Sequence, residues 1–226
     1  MTRCLGMLAL LCVASAADAQ DYAALFEEAA AAIAWDLEDQ WAFTESRLSD
    51  DTLWVSRFDP RRGEDQRWTL LSVDGRKPTD SELREFAADK EDYETAASSQ
   101  RLDLVGIDTL ELIAEDDASV LLGFVPNEDE VEFIENVDAS ALIMKDGPYL
   151  ANIDMRNRAD IKPGFGTKIG TFRVRMEFGP AVVNGPIVPQ SMRIKVGGRM
   201  LLFIGFEETE VIEFSDFEAV AKDIAQ

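Results

Sequence analysis

The sequence predicts an α+β protein built on a strongly curved antiparallel sheet, a half-barrel with helices on its concave face. Three observations support this prediction. From Asp103 onward, apolar and polar residues alternate as in strands that bury one face. Turn signals such as Asp116-Asp117 and Asp146-Gly147 separate these runs at hairpin spacing. Two amphipathic helical segments precede the alternating part, and we expect them to lie across the concave side of the sheet.

The run from Arg67 to Thr79 predicts a strand, a glycine turn and the start of a helix. Apolar side chains fall on both sides of this strand, which predicts a central strand covered on both faces. Asp74-Gly75 ends the strand with residues that tolerate positive φ. Thr79-Asp80-Ser81-Glu82 is a capping box, so a helix begins here. The polar segment Asp89 to Gln100 lacks periodicity and predicts the end of that helix and an exposed loop.

The other elements follow from periodicity. Tyr22 to Ile33 has helical spacing, whereas residues 127–137 are ambiguous between a short helix and a strand. A Gly197-Gly198 pair predicts a tight hairpin near the end of the sheet. Alternation predicts further strands at Trp41–Thr44, Leu53–Phe58, Leu110–Ala114, Val120–Phe124, Leu142–Lys145, Tyr149–Met155, Phe172–Phe178, Met192–Val196 and Met200–Phe206.

The first 19 residues have the pattern of a secretory signal peptide. Arg3 supplies the positive charge, Leu5 to Ala14 the apolar core, and Ala17-Asp18-Ala19 the cleavage site. The apolar core is too short to span a bilayer, which needs about 20 residues. The sequence therefore predicts export to the periplasm. It also predicts a single mature domain over residues 20–226 with no transmembrane segment.

The residue types of the mature chain exclude several chemistries. Cys4 and Cys12 both lie in the predicted signal peptide, and the chain has no His. Ser-His-Asp and Cys-His catalysis are thereby excluded, together with His and Cys metal sites. Neither acidic cluster, at residues 115–117 and 127–130, has the spacing of a calcium loop. We expect no cofactor, no metal and no enzyme, although the many acids leave a carboxylate-dependent hydrolase as an alternative.

Charge limits the partners that the protein can bind, because the chain carries a net charge of −22. Such a chain repels nucleic acid, so no nucleic-acid partner is expected. The segment from Lys145 to Arg199 differs, with 10 basic and 4 acidic residues. It either forms a face that meets anions or lies against acidic strands of the same domain.

A set of large apolar side chains predicts a cavity between the sheet and the helices. Aromatic and methionine side chains adapt to irregular ligands as well as to irregular cores. The alternative is a core filled by these same side chains. The cavity candidates are Trp41, Phe43, Trp54, Trp68, Leu70, Tyr149, Met155, Phe172, Val174, Met176 and Phe178.

Several motifs resemble those of uncharacterised exported proteins of Gram-negative bacteria. The motifs are Phe58-Asp59-Pro60, the run Arg67 to Gly75, Pro78-Thr79, and the run Lys168 to Phe172 through Ser215-Asp216-Phe217. That group is similar to the periplasmic outer-membrane lipoprotein-sorting carriers of the LolA/LolB type, and the likeness covers most of the mature chain. It implies a carrier-like binding domain and carries over no functional residue.

Together these observations predict a periplasmic binding or carrier protein for a lipid, an acyl chain or a lipoprotein. One alternative is a periplasmic protein-interaction or assembly module with a self-filled core. The other is the carboxylate-dependent hydrolase.

Overall fold

The structure is a computed structural model that describes residues 16–34, 40–63, 66–97, 105–127, 136–164, 166–201 and 204–220, without the side chains of residues 16–21 and 91–97. The described part contains two α-helices, α1 (Ala16–Ala31) and α2 (Asp80–Ala97), and a 3-10 turn at Ile107–Thr109. Its strands are β1 (Trp41–Ser49), β2 (Thr52–Phe58), β3 (Trp68–Val73), β4 (Glu111–Glu115), β5 (Ser119–Phe124), β6 (Val137–Met144), β7 (Tyr149–Asn157), β8 (Ile161–Gly164), β9 (Thr167–Pro180), β10 (Ile187–Met200) and β11 (Ile204–Ala219).

These strands form one antiparallel sheet of 11 strands, so the molecule is a mostly-β protein with two helices. The order across the sheet is β3-β2-β1-β11-β10-β9-β7-β6-β5-β4, and β8 pairs with β9 outside this path. The last strand, β11, pairs with the first, β1, which joins the β1–β3 meander to the rest of the sheet. The predicted antiparallel sheet with helices is confirmed at this level.

Residues directly opposite each other on neighbouring strands share a face of the sheet. One such row runs through Val73, Trp54, Arg47, Ile212, Met192, Met176, Ile153, Ala141, Leu122 and Leu112. The adjacent row on the opposite face runs through Ser72, Val55, Ser46, Glu213, Ser191, Glu177, Asn152, Leu142, Leu121 and Ala114. Both helices pack on the first face, which we call the helical face; the other is the open face.

The buried apolar residues form two clusters on the helical face. In the larger, Phe26 and Ala29 of α1 pack against strands β5 to β7 and β9, where Leu122, Ile143 and Ile153 are fully buried. Its full buried set is Phe26, Ala29, Ile33, Val105, Val120, Leu122, Phe124, Val137, Ala139, Ala141, Ile143, Leu150, Ile153, Met155, Ile161 and Phe178. This cluster fixes α1 on the β4–β9 end of the sheet.

The smaller cluster is aromatic and lies at the β1–β3 end. Phe43 and Phe58 face each other across β1 and β2 with their ring centroids 5.1 Å apart. Trp68 packs against both rings, and Val188 of β10 completes the buried set. Aromatic contacts of this kind stabilise a core beyond their buried area.

The predicted half-barrel is wrong, because the sheet is neither closed nor strongly curled. A strongly curved sheet needs one continuous apolar face to bury, and here the buried residues form two separate clusters. The long strands between the clusters add little burial. Of the 16 residues of β11, only Ile212 is buried. Nothing therefore draws the edges of the sheet together.

The prediction that β3 is a central strand of the sheet is also wrong. Strand β3 is an edge of the sheet, and Leu71 is 50% exposed. A short apolar run predicts burial on two faces, but α2 covers only one face of β3. The turn after it is confirmed, since Asp74 and Gly75 have φ values of 49° and 72°.

Helix α2 begins where the capping box predicts but extends further than expected. The backbone N–H of Thr79 donates to Glu82 Oε2 at 2.8 Å, and the backbone N–H of Glu82 donates to Thr79 Oγ1 at 3.4 Å. The helix runs to Ala97 and so includes most of the segment Asp89 to Gln100, where we predict the end of the helix and an exposed loop. Lys90, Glu91, Glu94, Ala96 and Ala97 of this segment are residue types that favour a helix.

Gly197 and Gly198 do not form the predicted hairpin turn. They lie inside β10, at a β-bulge in its pairing with β9. A Cβ on Gly198 would lie 2.2 Å from the backbone oxygen of Lys168, so this position requires glycine for close backbone approach. Of the ambiguous segment 127–137, residues 128–135 lie outside the described residues.

Candidate functional site

The helical face carries a partly exposed apolar strip on its middle strands. We define the apolar strip as Phe172, Val174 and Met176 of β9 together with Met192, Ile194 and Val196 of β10. These residues face each other in pairs: Met176 with Met192, Val174 with Ile194, and Phe172 with Val196. All six are only partly buried, and the three from β10 belong to neither apolar cluster.

The two helices form the sides of this strip. Helix α1 lies mainly against β7, and α2 lies beside β3 and reaches β1. Three strands, β11, β10 and β9, lie between β1 and β7 and are about 4.8 Å apart, so the uncovered width is roughly 15 Å. Beyond the Met176–Met192 end of the strip, the Ala34 N–H donates to the Ile187 carbonyl at 2.8 Å, so the chain that follows α1 contacts the start of β10.

A charged network lines the α2 side of the strip. Arg47 of β1 donates to Asp89 of α2 at 2.6 Å and also pairs with Glu210 of β11. Glu210 lies directly opposite Ile194, so this network borders the apolar strip. Burial opposes the charge of Arg47, but Glu210 and Asp89 outweigh it and hold the pKa of Arg47 above its ordinary value. Arg47 therefore stays a cation beside an apolar surface.

A buried ion pair anchors α2 on the sheet. Lys90 Nζ donates to both carboxylate oxygens of Glu45, at 2.7 and 2.9 Å, and the two side chains are 8% and 5% exposed. The same ammonium group lies 3.9 Å from the centre of the Trp68 ring, a favourable cation–π geometry. Next to the pair is a cavity of about 130 Å³ that Trp54 and Phe86 help to line. It is large enough for a few water molecules or one small group.

The structure divides the predicted cavity residues among different surroundings instead of bringing them around one cavity. Phe43, Leu70, Met155 and Phe178 are buried, and of these Phe43 belongs to the aromatic cluster and Met155 and Phe178 to the larger one. Trp41 and Trp68 are partly buried against the aromatic cluster, and Trp54 lines the 130 Å³ cavity. Phe172, Val174 and Met176 lie together in the apolar strip.

Tyr149 is separated from the other candidates by the fold of β7. A β-bulge between Leu142 and Ile143 in the pairing of β6 with β7 changes the alternation after Leu150. Tyr149 pairs with Met144, and this pair faces away from Leu150 and Ile143, which are buried on the helical face. Period-two reasoning alone places Tyr149 on the face of Met155, because a bulge has no reliable sequence signal.

Sequence reasoning also misses residues that the structure places at the site. Met192, Ile194 and Val196 alternate with Arg193 and Lys195, which predicts a strand with one apolar face. Their role depends on the pairing of β10 with β9, which that alternation does not reveal.

Two further observations describe what this part of the chain contains. Neither described helix is both long enough and apolar enough to cross a membrane. Within the described ranges, no three Asp, Glu, His or Cys side chains are grouped as metal ligands. Asp116 of one acidic cluster instead accepts the backbone N–H groups of Ala118 and Ser119 at 2.8 and 2.7 Å. These bonds lower the pKa of Asp116.

Comparison of the chain with protein-family models, curated proteins and solved structures found no match. The resemblance to the lipoprotein-sorting carriers therefore stays a prediction from the motifs, and the site is interpreted from its own geometry.

Proposed function

We propose that this protein is a periplasmic binding or carrier protein that holds the apolar part of a lipid, an acyl chain or a lipoprotein on its apolar strip. The observation that carries the proposal is the pair of helices on one face of the sheet with six partly exposed apolar side chains between them. The predicted signal peptide supports the periplasmic location.

The chemistry of the strip suits a flexible apolar ligand. Met176 and Met192 face each other at one end of the strip, and methionine side chains rearrange easily around irregular apolar partners. A contiguous apolar surface with a polar rim is typical of binding sites. Arg47 and Glu210 provide such a rim and can contact the polar end of an amphiphile.

The site of the proposed function differs from the cavity that the sequence predicts. The buried candidates, such as Phe43 and Phe178, pack against protein side chains and have little surface left for a ligand. That packing agrees with a self-filled core at those positions. The proposal therefore rests on the apolar strip alone, and the interaction-module and hydrolase alternatives stay predictions.

Substitution of Ile194 by Trp tests the proposal. In an open strip the larger side chain occupies ligand space and meets little protein, so we expect binding of a neutral long-chain monoacylglycerol to weaken at least tenfold. The free energy of unfolding should change by less than about 1 kcal/mol, whereas overpacking a filled core typically costs about 1–3 kcal/mol. Calorimetric titration and chemical denaturation measure the two quantities.

Leu48→Trp is the matched control. Leu48 lies on the open face of β1, directly opposite Val211, and is 40% exposed. We expect this variant to bind the monoacylglycerol as the wild-type protein does. Absence of saturable binding in the wild-type protein, or equal weakening by both substitutions, would contradict the proposal.

A further inference from the structure

The open face of the sheet carries a cluster of cations on its middle strands. Arg173 and Arg175 of β9 lie directly opposite Lys195 and Arg193 of β10, respectively. These four side chains, together with others, line a hollow of about 460 Å³, which we call the cationic hollow. It lies on the face away from both helices, because the alternate residues of β9 form the apolar strip.

This arrangement is unfavourable for the sheet itself. Like charges directly opposite each other on neighbouring strands are destabilising. The pattern extends beyond the hollow, since Arg173 also faces Arg156 of β7, and Lys168 faces Arg199 at the far ends of β9 and β10. The chain has 44 acidic and only 22 basic residues, so average composition does not account for four like-charge pairs on three adjacent strands.

Carboxylates neutralise this cluster only in part. Asp154 of β7 accepts from Arg173 at 2.6 Å and lies 3.9 Å from Arg175. Arg175 donates to Glu177 at 2.9 Å.

The two cations of β10 differ. Lys195 pairs with Glu207 at 2.7 Å, whereas Arg193 makes no ion pair with any residue in the described part. Glu213 of β11 also lines the hollow, but it lies directly opposite Ser191 and not opposite Arg193. Arg193 is therefore a guanidinium group available to an external anion.

We propose that the cationic hollow binds the phosphate group of a phosphorylated ligand. A guanidinium group matches the oxygens of a phosphate with two parallel hydrogen bonds. Facing residues lie about 5 Å apart and alternate residues about 7 Å apart, so Arg175, Arg193, Arg173 and Lys195 can all approach one phosphoryl group. The Ser191 hydroxyl lies in the same hollow and donates to Glu177 at 3.0 Å, so it can donate to a phosphate only by leaving that carboxylate.

The size of the hollow indicates a ligand larger than phosphate alone. A volume of about 460 Å³ exceeds what one phosphate ion fills and leaves room for the group that the phosphate is attached to. Either a soluble phosphorylated compound or a phospholipid headgroup supplies this chemistry. The remaining surface is strongly acidic and repels an anionic membrane, so the experiment must separate the two sources.

Titration with pyrophosphate at constant ionic strength tests the site. We expect one binding site per chain, and we expect Arg193→Gln to weaken binding about tenfold, as loss of a charge-assisted hydrogen bond does. Arg84→Gln on α2 is the matched control, because it removes the same charge on the other face of the sheet and should change affinity less than about twofold.

The melting temperature supplies a second readout for the same variants. Removal of Arg193 relieves its repulsion with Arg175, so Arg193→Gln should melt at the same temperature as the wild-type protein or higher. Weaker binding without lower stability identifies a ligand-binding residue. If Arg193→Gln binds pyrophosphate more weakly and also melts at a lower temperature, the weaker binding follows from lost stability. That result would overturn the assignment.

Vesicles distinguish the two sources of phosphate. Sedimentation with phosphatidylglycerol vesicles that is lost in Arg193→Gln and is competed by pyrophosphate would indicate a lipid headgroup. Pyrophosphate binding without vesicle binding would indicate a soluble ligand. Binding to neither, or equal loss in Arg84→Gln, would overturn the proposal.

Discussion

At the scale of single residues, the pair of Lys90 and Glu45 has the largest predicted energetic effect. Both side chains are almost fully buried, and each satisfies the other's charge. Removing one partner of such a pair leaves a buried charge uncompensated and costs about 3–5 kcal/mol. We therefore expect Lys90→Met to destabilise the protein by that amount in chemical denaturation.

The double variant Lys90→Met with Glu45→Leu separates charge from packing. Replacing both charges by apolar groups of similar size is often neutral or stabilising, so most of the lost stability should return. Lys145→Met is the control, since its partner Glu115 is exposed and the effect should be much smaller. A double variant as unstable as the single one would contradict this account.

Sequence reasoning could not identify this pair. Lys90 lies in a polar segment that predicts the end of a helix and an exposed loop, and Glu45 follows the predicted strand Trp41–Thr44. Neither residue has a local signal for burial, and 45 positions separate them along the chain. Only the packing of α2 across β1 brings them together.

At the scale of elements, the start of α2 is the feature that the sequence predicts best. Thr79 and Glu82 form reciprocal capping bonds, and Arg76 donates to Glu82 as well. A capping box is readable from sequence because its atoms lie within four residues. The pairing partners of strands cannot be read from sequence, because they depend on strands that are distant along the chain. The same holds for bulges such as those at Gly198 and Leu150.

The same capping box predicts a dependence of stability on pH. Hydrogen bonds from Arg76 and Thr79 lower the pKa of Glu82 from 4.5 to about 2. A lowered pKa in the folded state contributes stability that is present above the unfolded value and is lost as pH falls through the folded value. The difference in melting temperature between wild type and Glu82→Gln should therefore be largest above about pH 4.5 and should shrink towards pH 2.

Arg84→Gln provides the comparison for this measurement. Arg84 is exposed on the same helix and donates to the Asp80 carbonyl without a carboxylate partner among the described residues. Its effect should not follow the same pH profile. A Glu82→Gln difference that stays constant between pH 5 and pH 2.5 would show that the Arg76–Glu82 interaction adds nothing to stability.

At the scale of the whole molecule, the arrangement of charge separates the two faces of the sheet. Composition already predicts an acidic chain with a basic section between Lys145 and Arg199. The structure places much of that section on the open face, where acidic neighbours such as Asp154 and Glu207 pair with some of its cations. This pairing agrees with the interpretation that the section lies against acidic residues of the same domain. The alternative, a face that meets anions, stays a prediction. Which cations stay without a carboxylate depends on register and has no signal in the sequence.

The excess of negative charge leads to the last prediction. A net charge of −22 repels itself, and this repulsion is stronger in the compact state than in the unfolded chain. Salt screens it, with a Debye length of about 10 Å at about 0.1 M. Screening also weakens the exposed ion pairs, but such pairs contribute little to stability. We expect NaCl to raise the melting temperature.

Two comparisons make the salt experiment specific. KCl should act as NaCl does at equal ionic strength, whereas sulfate salts would also stabilise by exclusion from the protein surface and are avoided. Calcium chloride at the same ionic strength should add little, since no metal-ligand group occurs among the described residues. A melting temperature that falls with NaCl would mean that the ion pairs outweigh the self-repulsion. A rise of many degrees with calcium alone would instead indicate a calcium site formed by the acidic residues.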